Sequence, residues 1–172
     1  PAFLQPKHRA EQPDTAQRAC QRLWERCFPQ DEAAFVEQFL VRHFRAERML
    51  TQKVDDRVVA MLHSIPFSTA WGRMRYIYGV ATDPDYRHRG LSTRLLDSAI
   101  AASRAAGDAG LFLIPADSNL RTFYAKEGFD GDVPVRFTTG DDFDFGTGCE
   151  AFDRAMIYWF DAPLTPPEEL HA

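Results

Sequence analysis

The chain has 172 residues, of which 45% are hydrophobic and 26% are charged, and this composition is that of one ordinary globular domain. Its 14 Phe, 5 Tyr and 3 Trp residues need an interior in which to pack, which excludes a chain that is disordered throughout. With 20 basic and 25 acidic residues the net charge is −5, which argues against a dedicated nucleic-acid-binding protein, because such proteins bind through clustered cations.

The cysteines and the hydropathy pattern indicate a cytoplasmic protein without a membrane partner. Cys20, Cys27 and Cys149 are too few for a disulfide framework, and no His or Cys stands at the spacing that would complete a zinc site with them. We therefore expect reduced thiols and no bound metal. No apolar run approaches the roughly 20 residues of a membrane span, and the N-terminus lacks the apolar stretch of a signal peptide.

The first half of the chain predicts two helices followed by three strands. Apolar residues recur at helical spacing on both sides of Pro29, and three runs rich in β-branched and aromatic residues follow. Consecutive strands imply hairpins, with turns at Asp55-Asp56 and Trp71-Gly72. The predicted helices are Asp14–Cys27 and Asp31–Phe44, and the predicted strands are Arg48–Lys53, Arg57–Phe67 and Arg73–Thr82.

The second half alternates helices and strands, which implies crossover connections in one sheet. The predicted elements are the helix Leu91–Ala106, the strand Gly110–Pro115, the helix Asp117–Lys126, and the strands Asp132–Thr138 and Ala155–Phe160. The class is therefore α/β, with helices flanking one mixed central sheet. We expect a single domain over residues 1–172, in which residues 1–13 and 162–172 are peripheral.

The segment Val80–Thr93 carries the clearest chemical signal, because a buried strand runs through a polar turn into a helix that begins near Gly90. The first amides of that helix have no partner within it, and the helix dipole adds positive potential there. Arg87, His88 and Arg89 add cationic donors, and Gly90 has no Cβ to keep a ligand from the backbone. The segment predicts a phosphate or pyrophosphate site, with a solvated basic turn as the alternative. The GxxxxGK[ST] and GxGxxG motifs of other phosphate sites are absent from the sequence.

Two motifs in this region resemble those of the GCN5-related N-acetyltransferase (GNAT) family. The pyrophosphate signature of that family, Gln/Arg-x-x-Gly-x-Gly/Ala, is similar to RHRGLS at residues 87–92. A second family segment, aromatic-Tyr-x-x-x-Gly-Phe, is similar to FYAKEGF at residues 123–129. The resemblance implies the GNAT acyltransferase fold, whose sheet is mostly antiparallel, and it implies acetyl-CoA as co-substrate.

The resemblance also implies which residues bind the cofactor and which one catalyses. Tyr124 falls where the family often places a general acid that protonates the leaving thiolate, and the alternative is a core aromatic residue. Asp117 falls where many relatives carry an Asn that contacts the cofactor arm. The other implied cofactor-binding residues are Val80, Ala81 and Thr82 beside the pantetheine arm, and Arg87, His88, Arg89, Gly90, Leu91, Ser92 and Thr93 around the pyrophosphate.

The sequence departs from the family pattern at three positions. Ser92 takes a place where Gly or Ala is usual, and an ionised Asp117 cannot donate a hydrogen bond as Asn does. Ile114 occupies the position where some members carry a Glu that acts as general base. An aliphatic ammonium has a pKa near 10.4 and needs to lose a proton before it attacks. The candidates for that role are His63, Tyr78, Glu150, Asp153 or a chain of water molecules.

The expected function is acetyl transfer from acetyl-CoA to a primary amine by direct attack in a ternary complex, by a monomer or a homodimer. The alternative is a non-catalytic acyl-CoA-binding or regulatory domain, which Ile114 favours and Tyr124 disfavours. A nucleic-acid-binding module that uses Arg73, Arg75, Arg87 and Arg89 conflicts with the net charge.

The acidic loop Gly140–Glu150 bears on the acceptor. It carries Asp141, Asp142 and Asp144, with Phe143 and Phe145 between and beside them. In the family this loop lies near the mouth of the acceptor site, where negative potential gathers cationic amines. The loop therefore favours a positively charged amine acceptor, with an ordinary solvated loop as the alternative.

Overall fold

The computed structural model describes residues 15–137 and 154–172, and everything below refers to those ranges. Each boundary of a predicted helix or strand within them differs from the observed one by two residues or fewer. Two 3-10 turns, Ala46–Arg48 and Pro84–Tyr86, add to the predicted set. The elements are α1 (Thr15–Cys27), α2 (Ala33–His43), β1 (Met49–Val54), β2 (Arg57–Thr69), β3 (Gly72–Thr82), α3 (Leu91–Ala105), β4 (Gly110–Leu113), α4 (Ser118–Lys126), β5 (Asp130–Arg136), β6 (Arg154–Trp159) and β7 (Leu170–His171).

Several sequence predictions fall on residues outside the described ranges. They are the peripheral segment 1–13, the Asp14 helix cap, the end of the strand at Thr138, the acidic loop Gly140–Glu150, and the side chains of Cys149, Glu150 and Asp153.

The described strands form one sheet in the order β1-β2-β3-β4-β6-β5-β7. Adjacent strands are antiparallel except for the pairs β3–β4 and β5–β7, which are parallel. The expected class, a mixed α/β fold with a mostly antiparallel sheet, is therefore confirmed. Both faces are covered, and this explains why Val58 to Ile65 of β2 are all buried rather than alternating with exposed residues.

Each face of the sheet has its own apolar cluster. On one face the cluster contains Trp24 of α1, Phe39 of α2 and Phe112 of β4. On the other face α3 and α4 pack through Leu95 and Tyr124 against residues that include Leu111. Because Leu111 and Phe112 are neighbours in β4, the alternation of a strand sends them to opposite clusters.

The β1–β2 hairpin confirms the turn predicted at Asp55-Asp56. Both residues are left-handed, with φ of 48° and 61°, which is the conformation that a tight two-residue hairpin turn requires. Asp tolerates that conformation better than most residues, because its short side chain can hydrogen-bond locally.

The C-terminal segment corrects the expectation that residues 162–172 are peripheral. Leu170 is fully buried and belongs to β7, which pairs with Val135 of β5, and the Ala172 amide donates to the Arg136 carbonyl at 3.0 Å. Arg136 also forms an ion pair with Glu169. A two-residue strand is too short for any periodic signal, so its place in the sheet depends on these distant partners.

Candidate functional site

β3 and β4 diverge, and this exposes one edge of β3. The two parallel strands pair at Met74–Gly110, Arg75–Leu111 and Tyr76–Phe112, and no pair follows. β3 nevertheless continues to Thr82, whereas β4 ends at Leu113. Beyond Tyr76, the backbone groups on this edge of β3 therefore have no ladder partner from β4 and remain able to pair with a ligand.

A β-bulge interrupts β3 within this exposed stretch. The pairing with β2 shifts between Met61 and His63, so Gly79 and Val80 together face one residue of β2. Gly79 has a φ of +61°, and a Cβ there would lie 2.9 Å from the Trp24 ring. Glycine is therefore required at this position by both conformation and space. The bulge changes the direction of the backbone where Val80 and Ala81, two of the expected cofactor-binding residues, lie.

The turn after β3 delivers the chain to the N-terminus of α3. His88 and Gly90 are both left-handed, with φ of 64° and 72°. No side chain caps the first amides of α3, and no atom lies within 4 Å of the position that a Cβ on Gly90 would take. Uncapped amides that face open space at a helix N-terminus form the arrangement that binds phosphate groups.

The cations of this turn are present and exposed. Arg87 Nε donates to the Thr82 carbonyl at 3.3 Å, which turns its guanidinium back toward β3. Arg89 lies over the Tyr86 ring, 4.9 Å from the ring centroid. His88 is also exposed, so the three basic side chains of this turn are accessible to solvent, and their role at a phosphate site stays a prediction.

Two of the expected cofactor residues contact each other, and a third is held by α4. The hydroxyl groups of Thr82 and Ser92 lie 2.6 Å apart, which joins the end of β3 to the first turn of α3. The Thr93 hydroxyl donates to Glu127 at 3.3 Å. The hydroxyl of Ser92 is therefore already engaged by a neighbour within the fold.

Asp117 caps α4, as predicted. Its carboxylate accepts a hydrogen bond of 2.8 Å from the Leu120 amide, which is the standard role of Asp at a helix start. The contact that the family resemblance implies between this residue and the cofactor stays a prediction.

Tyr124 is buried in the apolar cluster against which Val80, a residue of the bulge, also packs. Its ring makes edge contacts with Phe123 and Phe129. Burial raises the pKa of Tyr124 to about 12. The hydroxyl therefore keeps its proton at neutral pH, as the expected general-acid role requires, and it is a weaker acid than the hydroxyl of an exposed tyrosine.

His63 is a poor candidate for the general base. It is fully buried between the rings of Trp24 and Phe39, and neither ring nitrogen has a hydrogen-bond partner among the residues described. Burial lowers the pKa of His63 to about 3, and the Tyr78 backbone on β3 opposes only part of that shift. An imidazole with such a pKa accepts a proton from an ammonium group very unfavourably.

Neither Tyr78 nor Ile114 provides a carboxylate that could act as the general base. Tyr78 is half-buried and packs against Trp24, Phe39 and Tyr76. Ile114 follows β4 as a half-buried apolar residue, so that strand end supplies no acid.

Asp83, which sequence reasoning missed, anchors the turn at residues 83–90 between β3 and α3. It is fully buried, its Oδ2 lies 3.1 Å from Arg26 Nε and 2.8 Å from Arg57 Nη2, and its Oδ1 accepts from the Asp85 amide at 3.0 Å. Burial acts to raise the pKa of Asp83, but the Asp85 amide and the two guanidinium groups outweigh it and hold the pKa below its ordinary value. The Asp-Pro-Asp sequence signalled a local turn, but its two arginine partners come from α1 and from the start of β2.

A second buried carboxylate lies at the opposite end of β3. Asp108 pairs with Arg73 and with Arg75, at 2.8 Å for the latter, and accepts from the Ser103 hydroxyl. Two of the four arginines considered for a nucleic-acid surface are therefore engaged by one internal carboxylate.

The cysteines within the described ranges are unbridged. Cys20 is buried, and Cys27 Sγ donates to the Thr82 carbonyl at 3.4 Å. Burial raises the pKa of the Cys27 thiol, although nearby Arg87 opposes it. Across residues 15–137 and 154–172, no group of His, Cys, Asp and Glu side chains is arranged to hold a metal ion. No helix in those ranges is long and apolar enough to cross a membrane.

Comparison with known families agrees with the two motifs. A family model described as "Acetyltransferase (GNAT) domain" matches residues 9–130, which is more than half of the chain. The chain belongs to the GNAT acetyltransferase family. Acyl transfer is the chemistry of that family, and the resemblance inferred from the sequence is confirmed. No curated protein matches the sequence of this GNAT chain.

Solved structures share the GNAT fold with this chain. A GNAT family acetyltransferase from Brucella melitensis, in complex with acetyl-CoA, is 15% identical with a TM-score of 0.61, and the match covers 92% of this chain and 90% of that one. GNAT family N-acetyltransferase YhbS from Escherichia coli, in complex with CoA, is 17% identical with a TM-score of 0.61, covering 83% and 75%. A GCN5-related N-acetyltransferase from Anabaena variabilis is 20% identical with a TM-score of 0.59, covering 71% of this chain but 31% of that longer one. Identities this low show a common fold.

Proposed function

We propose that this chain is an acetyl-CoA-dependent N-acetyltransferase, which transfers the acetyl group to a primary amine by direct attack in a ternary complex. The observation that carries the proposal is the uncapped N-terminus of α3, which opens at Gly90 immediately beyond the unpaired edge of β3. Open space lies beside Gly90 at the helix end, and the strand edge has no partner from β4 with which an extended chain would compete. These are the two parts of a CoA molecule that such a site needs to hold.

The cofactor-binding roles follow from that arrangement. Backbone groups of Val80, Ala81 and Thr82 pair with the pantetheine arm, since β4 leaves this edge unpaired. The amides between Arg87 and Thr93 surround the pyrophosphate, and the exposed cations of the turn add attraction.

Tyr124 supplies the proton in the transfer step. The lone pair of the neutral amine attacks the thioester carbonyl, the carbon–sulfur bond breaks, and the departing thiolate takes the proton of the tyrosine hydroxyl. The nitrogen, which carries one extra proton after the attack, releases it to water, and the tyrosinate regains a proton from water. A thiol has an ordinary pKa of about 8.5, so it leaves readily and needs only modest assistance. Neither of the two GNAT motifs contains a cysteine, so an acetyl-enzyme intermediate is not part of this proposal.

The amine loses its proton to water in this proposal. Ile114 replaces the Glu base of some relatives. The pKa of His63, about 3, is far below the pKa of about 10.4 of the ammonium group whose proton it would accept. The incoming amine is cationic before this step, which agrees with the acidic sequence of the loop 140–150. We place the protein in the cytoplasm, as a single domain that is monomeric or a homodimer.

The competing function is an acyl-CoA-binding or regulatory domain without catalysis. Ile114 favours it, because the strand end next to the diverging edge lacks an acid. The test is to mix the protein with acetyl-CoA and a panel of polyamines, basic peptides and neutral amines, and to measure release of free thiol. Amine-dependent release that Tyr124→Phe lowers supports the enzyme. Tight acetyl-CoA binding without release from any amine supports the regulatory domain.

A further inference from the structure

A cavity of about 460 Å³ lies between α1 and the β1–β2 hairpin. Its aliphatic lining comes from Ala19, Leu23 and Val58. The volume lies within the range of roughly 300–1,000 Å³ that small-molecule sites occupy. None of the residues expected to hold acetyl-CoA lines it, so this cavity is distinct from the site described above.

Three exposed charged side chains of both signs line the cavity and have no side-chain partner among the described residues. Arg22 of α1 contributes a guanidinium group, and Asp55 and Asp56 of the hairpin turn contribute two carboxylates. No ion pair or side-chain hydrogen bond to another described residue engages any of these three side chains. A ligand of one charge would therefore meet like charges on part of the lining.

The remaining polar residues of the lining are Arg26, Arg57 and Asp83. Asp83 is fully buried and is contacted by Arg26 Nε and Arg57 Nη2. Arg26 Nη2 also donates to Asp85 Oδ2 at 2.8 Å. Because a guanidinium group has five N–H donors in a fixed fork, each of these arginines still retains donors that neither carboxylate uses. The lining therefore offers guanidinium donors from both α1 and β2.

We propose that this cavity binds a small aliphatic zwitterion of the α-amino acid type. The carboxylate of the ligand pairs with the guanidinium groups, its ammonium group pairs with Asp55 and Asp56, and its side chain packs on Leu23 and Val58. Only a ligand with both charges satisfies both parts of the lining, and the aliphatic residues select a short apolar side chain.

Binding of the zwitterion in this cavity is coupled to the turn at residues 83–90, where we propose that the pyrophosphate binds. Arg26 and Arg57 hold Asp83, and Asp83 holds the Asp85 amide just before the turn that carries Arg87. A carboxylate that draws on the same arginines changes how firmly that turn is held. By linkage, the zwitterion changes acetyl-CoA affinity by the same factor by which acetyl-CoA changes the affinity of the zwitterion.

The test is calorimetry on the full chain without acetyl-CoA, using L-valine, L-leucine and L-isoleucine at constant ionic strength. We expect at least one of them to bind, and we expect its N-acetyl derivative, which lacks the ammonium group, and its amide, which lacks the carboxylate, to bind at least roughly tenfold more weakly. Failure of all three amino acids to bind, or equal binding of the derivatives, overturns the proposal. Neither calorimetric result bears on acetyl transfer, because acetyl-CoA is absent from this experiment.

Arg22→Gln locates the site, with Arg18→Gln as its matched control. Arg18 is exposed on the same helix and does not line the cavity. We expect Arg22→Gln to weaken binding of the amino acid at least roughly tenfold and Arg18→Gln to leave it unchanged. Equal effects of the two changes overturn the assignment to this cavity. Mass spectrometry after incubation with acetyl-CoA completes the test, because acetylation of the amino acid that Arg22→Gln abolishes would make this an acceptor site and overturn its separation from the transfer site.

Discussion

The hydroxyl groups of Thr82 and Ser92 lie 2.6 Å apart and bridge the two ends of the turn between β3 and α3. Thr82 ends β3, and Ser92 lies in the first turn of α3. The Gly or Ala that usually occupies the place of Ser92 has no hydroxyl to form this bridge. The departure from the family signature therefore joins the two ends of the turn from within, and no side chain caps the first amides of α3.

Gly90→Val should abolish acetyl-CoA binding. A side chain at this position enters the open space beside the uncapped amides, and the left-handed φ of +72° adds a strain of roughly 1–2 kcal/mol. Gly107→Val is the matched control, because Gly107 has a φ of +75°, equally open surroundings, and a place beyond the other end of α3. Titration calorimetry should show loss of binding in the first variant alone. Unchanged affinity in Gly90→Val would remove the pyrophosphate from this loop.

Tyr124→Phe should lower kcat by roughly 10²-fold and spare the affinity for acetyl-CoA. A general acid acts in the transition state, so its loss affects turnover and leaves ground-state binding intact. Tyr158→Phe is the control, because Tyr158 is a half-buried aromatic that packs against the same cluster. Steady-state kinetics should separate the two variants. Full activity of Tyr124→Phe would reduce this residue to a packing role.

Asp83→Asn should weaken acetyl-CoA binding and lower the free energy of unfolding by about 1–3 kcal/mol, the usual cost of leaving hydrogen-bonded polar groups unsatisfied. The cost stays in this range because Arg26 and Arg57 are 44% and 55% exposed and can be hydrated once the carboxylate charge is removed. Asp108→Asn is the control, since Asp108 is as buried and also pairs with two arginines, but at the far end of β3. Both variants should lose stability in urea unfolding, and only Asp83→Asn should lose cofactor affinity. Equal affinities would leave Asp83 as a purely structural residue.

His63 should make the protein less stable as the pH falls below neutrality. Its folded pKa of about 3 lies below the ordinary value of 6.5, so between these values the unfolded chain binds a proton that the folded chain does not. The free energy of unfolding therefore decreases by up to about 1.4 kcal/mol for each pH unit from this group alone.

The measurement for His63 is urea unfolding at several pH values between about 7 and 5. The wild type is compared with a variant that lacks the contribution of His63 to the pH dependence of stability. His63→Leu keeps an apolar side chain in the space between Trp24 and Phe39 and should show a shallower loss of stability with falling pH. The exposed His171 provides the control, and His171→Asn should keep the steeper slope. Parallel slopes in the wild type and His63→Leu would contradict the lowered pKa.

Local chemistry determined much of this protein from its sequence. Periodicity placed the described helices and longer strands within two residues of their observed bounds, because α3 and its neighbours present one apolar face to a core. Turn chemistry placed the left-handed Asp55-Asp56 pair and the Asp117 cap. The basic residues before Gly90 predicted an anion site at the start of α3, and the structure leaves that helix start without a side-chain cap.

Tertiary structure alone decided how those segments form a site. The divergence of β3 from β4, the bulge whose Gly79 approaches the Trp24 ring, and the clamp of Arg26 and Arg57 on Asp83 all join residues far apart in the sequence. Burial decided the pKa of His63 in the same way. Helix caps and turns are stabilised by interactions between residues that are close in the sequence, so the sequence alone predicts them. Bulges, buried ion pairs and desolvation draw theirs from packing between elements, which exists only once the chain has folded.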